Sequence, residues 1–230
     1  MQVPLQFEFQ SNQTFDSYFA GNNAEILGHL KALASDNQEQ QIYLWGELGS
    51  GKSHLLQACC QSAKNAGKAP FYLAFPRLNP PSPSLLDGLE ALDLVCLDDL
   101  QHIAEDDAWQ QALFNFYNRH RQNNHQLLIA ADCPPKYLPF TLPDLKTRMG
   151  WGLSLKIQTL ADDQLIDALR HKAHYLGFDI PPAVGKFLLT HYVRDLPALW
   201  LLLERIDRAT LVAQRKLSIP FLKKILAEEL

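Results

Sequence analysis

The chain has 230 residues, of which 47% are hydrophobic and 20% charged, a composition typical of a folded globular protein rather than a disordered one. Its formal net charge of −4 does not indicate the basic surface by which proteins usually recognise nucleic acid backbones. The four cysteines form no Cys-x-x-Cys pair, and no apolar run approaches the roughly 20 residues of a membrane-spanning helix. We therefore expect a cytoplasmic protein without disulfide bonds or membrane anchor.

The opening stretch MQVPLQFEF is apolar in alternation, but it does not have the pattern of a secretory signal. A signal peptide begins with a basic region, whereas the first basic residue here is Lys31 and Glu8 interrupts the apolar run. We expect this stretch to stay on the protein, as an edge strand or as a peptide that binds another protein.

Five short apolar runs alternate with helix-length segments over the first two thirds of the chain, as in proteins with buried parallel strands. The predicted strands are Ile42–Trp45, Pro70–Ala74, Leu94–Leu97, Leu127–Ala131 and Leu153–Ile157. The predicted helices are Ala24–Ser35, Gly51–Ala66 and Ala108–Gln122, and the prolines of Asn79–Ser84 indicate a loop. The pattern predicts an α/β fold with a five-stranded parallel sheet.

Helical spacing dominates after Gln158. Leu165, Ile166, Leu169, Ala173 and Leu176 follow one helix face that stops at Gly177, and a second helix follows Pro182. A long helix is predicted from about Asp195 to Gln214 and a last one after Ser218. We expect three parts: an N-terminal peptide over 1–12, an α/β domain over 13–158 and a small all-α lid subdomain over 159–230.

The most specific signal is GELGSGKS, which fits the pattern Gly-x-x-x-x-Gly-Lys-Ser/Thr and lies between a predicted strand and a predicted helix. In such a loop, backbone N–H groups surround phosphates, the lysine neutralises the β and γ oxygens, and the serine hydroxyl binds Mg²⁺. The residues expected at an adenine nucleotide, ADP or ATP, are Gly46, Gly49, Ser50, Gly51, Lys52, Ser53 and His54.

Acidic residues follow two other predicted strands. Asp98 and Asp99 end the run LVCL, where a P-loop ATPase places one carboxylate for Mg²⁺ and a second one for the attacking water. Asp98 is the metal candidate and Asp99 the catalytic candidate, although aspartate is shorter than the glutamate usual in strong ATPases, so slow turnover is expected. Asp132 follows LLIAA and is either a γ-phosphate sensor or a turn residue before Pro134.

Several segments together resemble the AAA+ ATPases of the DnaA family, and the resemblance covers nearly the whole chain. They are TFDSYFAGNN (Thr14–Asn23), GELGSGKSHLL, LVCLDDL, ADCPPKYL (Ala131–Leu138), LPDLKTRMGWGL (Leu142–Leu153) and RATLVAQRKLSIPFLKKIL. The resemblance implies an AAA+ strand order, Asp132 as the first sensor, and Thr14–Asn23 near the nucleotide base. It also implies that Arg148 is an arginine finger, which completes the ATP site of a neighbouring subunit.

The chain departs from the family pattern at the second sensor. Pro197 stands where the family usually has an arginine at the start of the lid helix, and Arg194, one turn earlier, is the candidate substitute. Either a substituted or a lost sensor favours a nucleotide that acts as a structural switch over one that this chain hydrolyses.

Within the family, the chain resembles the regulatory inactivators of DnaA more than the initiators. It has no helix-turn-helix domain after the lid, and residues 75–93 are too short and too poor in basic residues to grip single-stranded DNA. By this resemblance Gln2, Leu5 and Phe7 fit the sliding-clamp motif Gln-x-x-Leu-x-Phe/Leu, which docks as an extended peptide.

The resemblance thus implies a regulator that works with the DNA-loaded sliding clamp and promotes hydrolysis of DnaA-bound ATP, which prevents re-initiation. The expected partners are DnaA and the clamp, with a possible homo-oligomer and no sequence-specific DNA binding of its own. Two alternatives stay open: a free-standing P-loop enzyme, such as a kinase or a DnaC-like helicase loader, and an interaction protein whose nucleotide site is inactive.

Overall fold

The computed structural model describes residues 12–35, 39–76, 81–191 and 196–227. Residues 41–156 contain a sheet of five parallel strands in the order β2-β3-β4-β1-β5. The strands are β1 (Gln41–Trp45), β2 (Pro70–Ala74), β3 (Leu94–Asp98), β4 (Gln126–Ala131) and β5 (Leu153–Lys156). The central strands β3 and β4 are buried along their whole length, which explains why they read as continuous apolar runs. The predicted five-stranded α/β fold is confirmed.

Four helices accompany the sheet: α1 (Ala24–Ser35), α2 (Lys52–Asn65), α3 (Asp107–Gln122) and α4 (Pro143–Met149). Asp106 caps α3, because its carboxylate accepts hydrogen bonds from the N–H groups of Ala108 and Trp109 at 2.8 and 3.0 Å. Single turns of 3₁₀ helix lie at Gly21–Asn23, Pro83–Leu86, Leu89–Ala91, Leu100–Ile103 and Pro135–Tyr137. Pro83 and Ser84, predicted as loop, therefore belong to a short helix that begins after Ser82.

The described residues divide into two compact units. The first contains the residues up to Phe15 and Asn23–Gln158, and the second contains Asp16–Asn22 and the residues from Thr159 onward. The sequence assigned 16–22 to the α/β domain, whereas in the structure the His171 ring meets the Asp16 carbonyl at 2.9 Å and lies beside the ring of Phe19, at 5.9 Å between centroids. His171 thus joins this segment to the rest of the second unit.

The second unit is helical and has its own core. Its helices are α5 (Asp162–Leu176), α6 (Pro182–His191), α7 (Leu196–Ala213) and α8 (Ile219–Ala227). α5 ends at Gly177, and Ser218 precedes α8 with its hydroxyl facing the Phe221 N–H at 3.4 Å. The predicted apolar stripe of α7 is buried at Leu199, Leu202, Leu203 and Ile206. No helix among the described residues is long and apolar enough to cross a membrane.

Candidate functional site

The glycine-rich loop GELGSGKS joins β1 to α2, as its sequence context predicted. Gly51 has a φ of 95° immediately before the first residue of α2, a left-handed conformation that residues with a Cβ rarely adopt. This conformation lets α2 begin at Lys52, directly after the loop. The unpaired N–H groups of the first turn of α2 therefore point toward the loop.

Lys52 is nearly fully buried at the start of α2. Its Nζ donates hydrogen bonds to the carbonyl oxygens of Gly46 and Glu47, at 2.8 and 2.9 Å. Burial lowers the pKa of Lys52, and the negative charges of Asp98, Asp99 and Asp132 oppose that shift. The three acidic residues singled out by sequence thus lie within electrostatic reach of one ammonium group at the carboxyl edge of the sheet.

Asp98, the last residue of β3, is fully buried. The Tyr72 hydroxyl donates to its Oδ2 at 2.9 Å, the Asp99 N–H donates to its Oδ1 at 3.0 Å, and the Ser53 side chain is hydrogen-bonded to the same carboxyl. Burial raises the pKa of Asp98, and the bonds from Ser53 and Tyr72 counter the shift because they stabilise the charged form. A carboxylate and a serine hydroxyl side by side are donors that suit Mg²⁺ next to a phosphate, so Asp98 and Ser53 could hold the ion.

Gln101 connects the two other acidic positions. Its Nε2 donates to the Asp99 Oδ1 at 3.1 Å, and its Oε1 accepts from the Asp132 N–H at 3.2 Å. Asp99 itself has a φ of 57°, an uncommon left-handed conformation for a residue other than glycine. The amide of Gln101 therefore ties the end of β3 to the end of β4 at the point where both candidate side chains leave the sheet.

His54 contacts the N-terminal segment of the same unit. Its Nε2 lies 2.8 Å from the Thr14 carbonyl oxygen, so the ring anchors the segment that precedes α1 to the helix that follows the loop. The sequence placed His54 among the nucleotide-binding residues; in the structure its ring nitrogen is engaged with this backbone carbonyl.

Arg148 lies in the last turn of α4, at the edge of the sheet opposite to the loop. The Gln41 Nε2 donates to the carbonyl oxygens of Arg148 and Met149, both at 3.1 Å. Gln41 is the first residue of β1, whereas the glycine-rich loop follows its last residue, Trp45. The two ends of a five-residue strand are about 13 Å apart. Arg148 is thus separated from the loop of its own chain by the length of β1.

The side chain of Arg148 is half-buried against aromatic rings. Its guanidinium carbon lies 4.3 Å from the ring centroid of Phe114, and 5.8 Å from those of Tyr117 and Trp151. Phe114 is only partly buried, and its ring lies against the guanidinium group. A cation above the face of a ring is held by the ring's quadrupole, which fixes Arg148 without a carboxylate.

Some candidate residues lie outside the described part of the chain: Gln2, Leu5 and Phe7 of the expected clamp peptide, and Arg194 of the expected second sensor. Pro197 is the second residue of α7. The first turn of a helix accepts proline, because a backbone N–H at that position would have no partner within the helix. Among the described residues no group of three or more His, Cys, Asp or Glu side chains could hold a metal by itself.

Sequence reasoning missed Tyr72 and Gln101, although both hold candidate acidic residues in place. Tyr72 lies on β2 opposite Cys96, two residues before the partner of Asp98 in the β2–β3 ladder, so its hydroxyl reaches Asp98 only after folding. Its residue type fits an ordinary strand equally well. Gln101 follows Asp99 by two residues, and that proximity was the one available signal.

Replacing Tyr72 with phenylalanine is expected to lower the free energy of unfolding by about 1–3 kcal/mol at pH 7, because a buried carboxylate oxygen then loses its donor. Denaturant unfolding monitored by circular dichroism measures this change. Asp98 has a raised pKa, so the cost should shrink as the pH falls and the carboxyl becomes protonated.

Tyr43→Phe is the matched control, since the buried hydroxyl of Tyr43 donates to an uncharged acceptor, the Cys133 carbonyl, at 2.9 Å. Its cost should be smaller and should not vary with the charge of Asp98. Equal costs and equal pH profiles for the two variants would contradict the role given to Tyr72.

Two family models match the chain. The model of the bacterial DnaA ATPase domain matches residues 83–156, and the model described as the Hda lid domain matches residues 162–226. The two ranges together span more than half of the chain. The first contains Asp98, Asp99, Asp132 and Arg148, whereas the glycine-rich loop precedes it.

Solved structures of low sequence identity share the fold. Domain III of the DnaA protein of Thermotoga maritima has a TM-score of 0.78 at 18% identity, with 96% of this chain and 98% of that chain covered. AMPPCP-bound DnaA from Aquifex aeolicus has a TM-score of 0.73 at 21% identity, with 86% of this chain and 66% of that one covered. A variant of RuvB from Thermotoga maritima has a TM-score of 0.63 at 16% identity, covering 90% of this chain and 68% of that chain. This chain thus spans about two thirds of the Aquifex DnaA structure.

Proposed function

Because this chain belongs to the DnaA family of AAA+ proteins and carries an Hda-type lid, we propose that it is a regulator of replication initiation. It binds an adenine nucleotide at its own P-loop and uses Arg148 to promote hydrolysis of the ATP that DnaA holds. It does so together with the sliding clamp loaded on DNA. Hydrolysis leaves DnaA in its ADP form, which prevents re-initiation of replication.

The proposed nucleotide site is built on the P-loop and on the acidic residues at the carboxyl edge of the sheet. The N–H groups at the start of α2 and the Lys52 ammonium would meet the phosphates, and Ser53 and Asp98 would hold Mg²⁺ beside them. Asp132 is the proposed sensor of the γ-phosphate, and Arg194 the proposed lid arginine. The AMPPCP in the Aquifex DnaA structure supports an adenine nucleotide as the ligand.

The nucleotide in this site is proposed as a structural switch more than as a substrate. Asp99 is the candidate for polarising an attacking water, but it is one methylene shorter than glutamate and its Oδ1 accepts a hydrogen bond from Gln101 at 3.1 Å. A carboxylate that already accepts a hydrogen bond and is carried on a short side chain is a weak general base. Hydrolysis by the isolated chain should therefore be slow.

The position of Arg148 is the observation that carries the proposal. Its backbone is bonded to the first residue of β1, at the edge of the sheet opposite to its own P-loop. An arginine so placed is suited to the phosphates of another chain. There the guanidinium would stabilise the negative charge that develops as water attacks the γ-phosphorus and the bond to the β-phosphate oxygen breaks.

The decisive assay mixes the purified protein with ATP-loaded DnaA and sliding clamp loaded on DNA, and measures the conversion of bound ATP to ADP. Hydrolysis should accelerate in the full mixture and fall back when the clamp or this protein is omitted. Equal rates with and without this protein would refute the proposal. Rapid ATP turnover by the isolated chain would instead favour a free-standing ATPase.

The clamp contact is proposed for the N-terminal peptide. Removing residues 1–7 should lower the affinity for the clamp at least tenfold while nucleotide binding stays unchanged, because the glutamine anchor and the apolar plug are lost. Surface plasmon resonance on immobilised clamp measures the first quantity, and equilibrium dialysis measures the second.

Two point variants sharpen that test. Gln2→Ala changes a motif position and should weaken clamp binding, whereas Gln6→Ala changes a spacer position of the same residue type and should not. Clamp binding that survives the deletion would exclude the peptide as the contact.

A further inference from the structure

Two arginines, Arg121 and Arg148, flank the same tryptophan at the amino edge of the sheet. The guanidinium carbon of Arg121 lies 4.7 Å from the ring centroid of Trp151, and that of Arg148 lies 5.8 Å from it. Trp151 is 43% exposed and Arg121 is exposed, so both cations belong to one accessible surface. We call Arg121, Arg148 and Trp151 the two-arginine surface.

The two-arginine surface has positive charge without internal compensation. Among the residues that the structure describes, neither Arg121 nor Arg148 is in an ion pair with a carboxylate. Arg119, on the same helix α3, is different: its guanidinium nitrogens lie 3.1 Å from a Glu90 oxygen and 3.9 Å from an Asp87 oxygen. Carboxylates of this chain thus neutralise Arg119, whereas none among the described residues neutralises Arg121.

A buried network holds the surface in place from below. Arg121 donates to the Tyr117 hydroxyl at 2.9 Å, and that hydroxyl donates to the Gln41 Oε1 at 2.8 Å. The Gln41 Nε2 in turn donates to the backbone carbonyl oxygen of Arg148. Both arginines are thus linked to one buried amide, Arg121 through the Tyr117 hydroxyl and Arg148 through its backbone. The chain after α4 passes close to the start of β1 at Gly152. This close approach requires glycine, because a Cβ there would collide with the Gln41 carbonyl oxygen.

The neighbouring histidine adds no charge to this surface at neutral pH. Burial, with His125 as a smaller cause, lowers the pKa of His120 to about 4. The positive charge therefore comes from the two guanidinium groups, which stay protonated at every physiological pH.

The chemistry of the surface indicates a polyanion as its ligand. Arg121 uses one of its five N–H donors on Tyr117 within the described part of the chain, which leaves a donor-rich planar face toward solvent. Two guanidinium groups on one surface match a ligand with several adjacent anionic oxygens better than they match a single carboxylate. A nucleotide polyphosphate has this character.

We propose that Arg121 is a second phosphate-recognising cation of this protein, which works beside Arg148 on a nucleotide held by another AAA+ chain. The inference rests on the proposed function, and it divides the work between the two arginines. Arg148, half-buried against Phe114, acts on the transition state. Arg121, exposed at the rim, acts on association, because an exposed charge at an interface mainly changes the rate of encounter.

The test titrates the protein into ATP-loaded DnaA with clamp and DNA, and compares the parent with Arg121→Gln and with the matched control Arg119→Gln. Arg121→Gln should raise the concentration that gives half-maximal stimulation about three- to tenfold and leave the maximal rate within about twofold. The dependence on salt should also become weaker, since one phosphate contact fewer is formed. Arg121→Lys should fall between the parent and Arg121→Gln.

The result that overturns the inference is an Arg121→Gln variant that behaves like Arg119→Gln in both half-maximal concentration and salt dependence. The inference would also be overturned if Arg121→Gln weakened the binding of this protein to DNA without clamp as much as it raised the half-maximal concentration. The surface would then recognise DNA. A parent protein that gives no stimulation at any concentration refutes the proposed function, and this inference with it. Circular dichroism and thermal unfolding of each variant identify any loss of fold.

Discussion

Arg148→Ala is expected to lower the stimulated hydrolysis of DnaA-bound ATP by roughly 10³-fold or more, the size of the effect when an arginine finger is removed in trans. The guanidinium acts on charge that develops only in the transition state, so the maximal rate should fall while the half-maximal concentration changes little. Nucleotide binding by the chain itself should be unaffected, because β1 separates Arg148 from the P-loop.

Single-turnover hydrolysis of radiolabelled ATP on DnaA measures this effect. Arg148→Lys is the informative companion variant, since lysine keeps the charge but lacks the planar fork, and it should recover only a small part of the rate. Arg119→Gln removes an arginine that is already ion-paired and should stimulate like the parent. Stimulation by Arg148→Ala at the parental rate would show that this residue is not the finger.

Lys52→Ala is expected to weaken ADP and ATP binding by roughly 10- to 100-fold, because a charge-assisted hydrogen bond contributes about 1.5–3 kcal/mol. Lys52 is nearly fully buried among backbone carbonyls and lies within reach of three carboxylates. Its replacement removes the one buried cation found among the described residues at this edge of the sheet, so phosphates would then face the acidic residues without neutralisation.

Equilibrium dialysis with labelled ADP and ATP, with and without Mg²⁺, measures the affinities. Lys64→Ala is a suitable control because Lys64 lies on the same helix, in its exposed last turn, and should bind like the parent. Equal affinities for Lys52→Ala and the parent would support the alternative that the sequence left open, an interaction protein with an inactive nucleotide site.

The strands and helices could be predicted because their signals are local. β3 and β4 are buried on both faces, so they read as unbroken apolar runs, and the P-loop has a fixed spacing of glycines before its lysine. The lid helices showed the apolar spacing of helices, and Gly177 marked the end of α5. Differences at the ends of elements amount to one or two residues, as expected where helices and strands fray.

The surroundings of the candidate residues could not be predicted, because they are made by residues distant in sequence. Tyr72 meets Asp98 across two strands, and Phe114 meets Arg148 across two helices. Nothing in either local sequence distinguishes these aromatic residues from ordinary core residues. The pairing of Gln41 with α4 likewise depends on β1 lying beside β5, which the spacing of apolar runs does not indicate.

The placement of Arg148 and the P-loop at opposite edges of one parallel sheet has a consequence for symmetry. An interface that joins the arginine edge of one chain to the phosphate edge of another is heterologous, since each chain contributes a different face. A two-fold axis that brings like edges together does not form this contact, whereas a head-to-tail repeat of the chains does. Assemblies built through this contact are therefore polar: they have one end with a free arginine and another with a free P-loop, unless the chains close into a ring. Regulation could then occur at either end of a row of AAA+ subunits without any change in the fold.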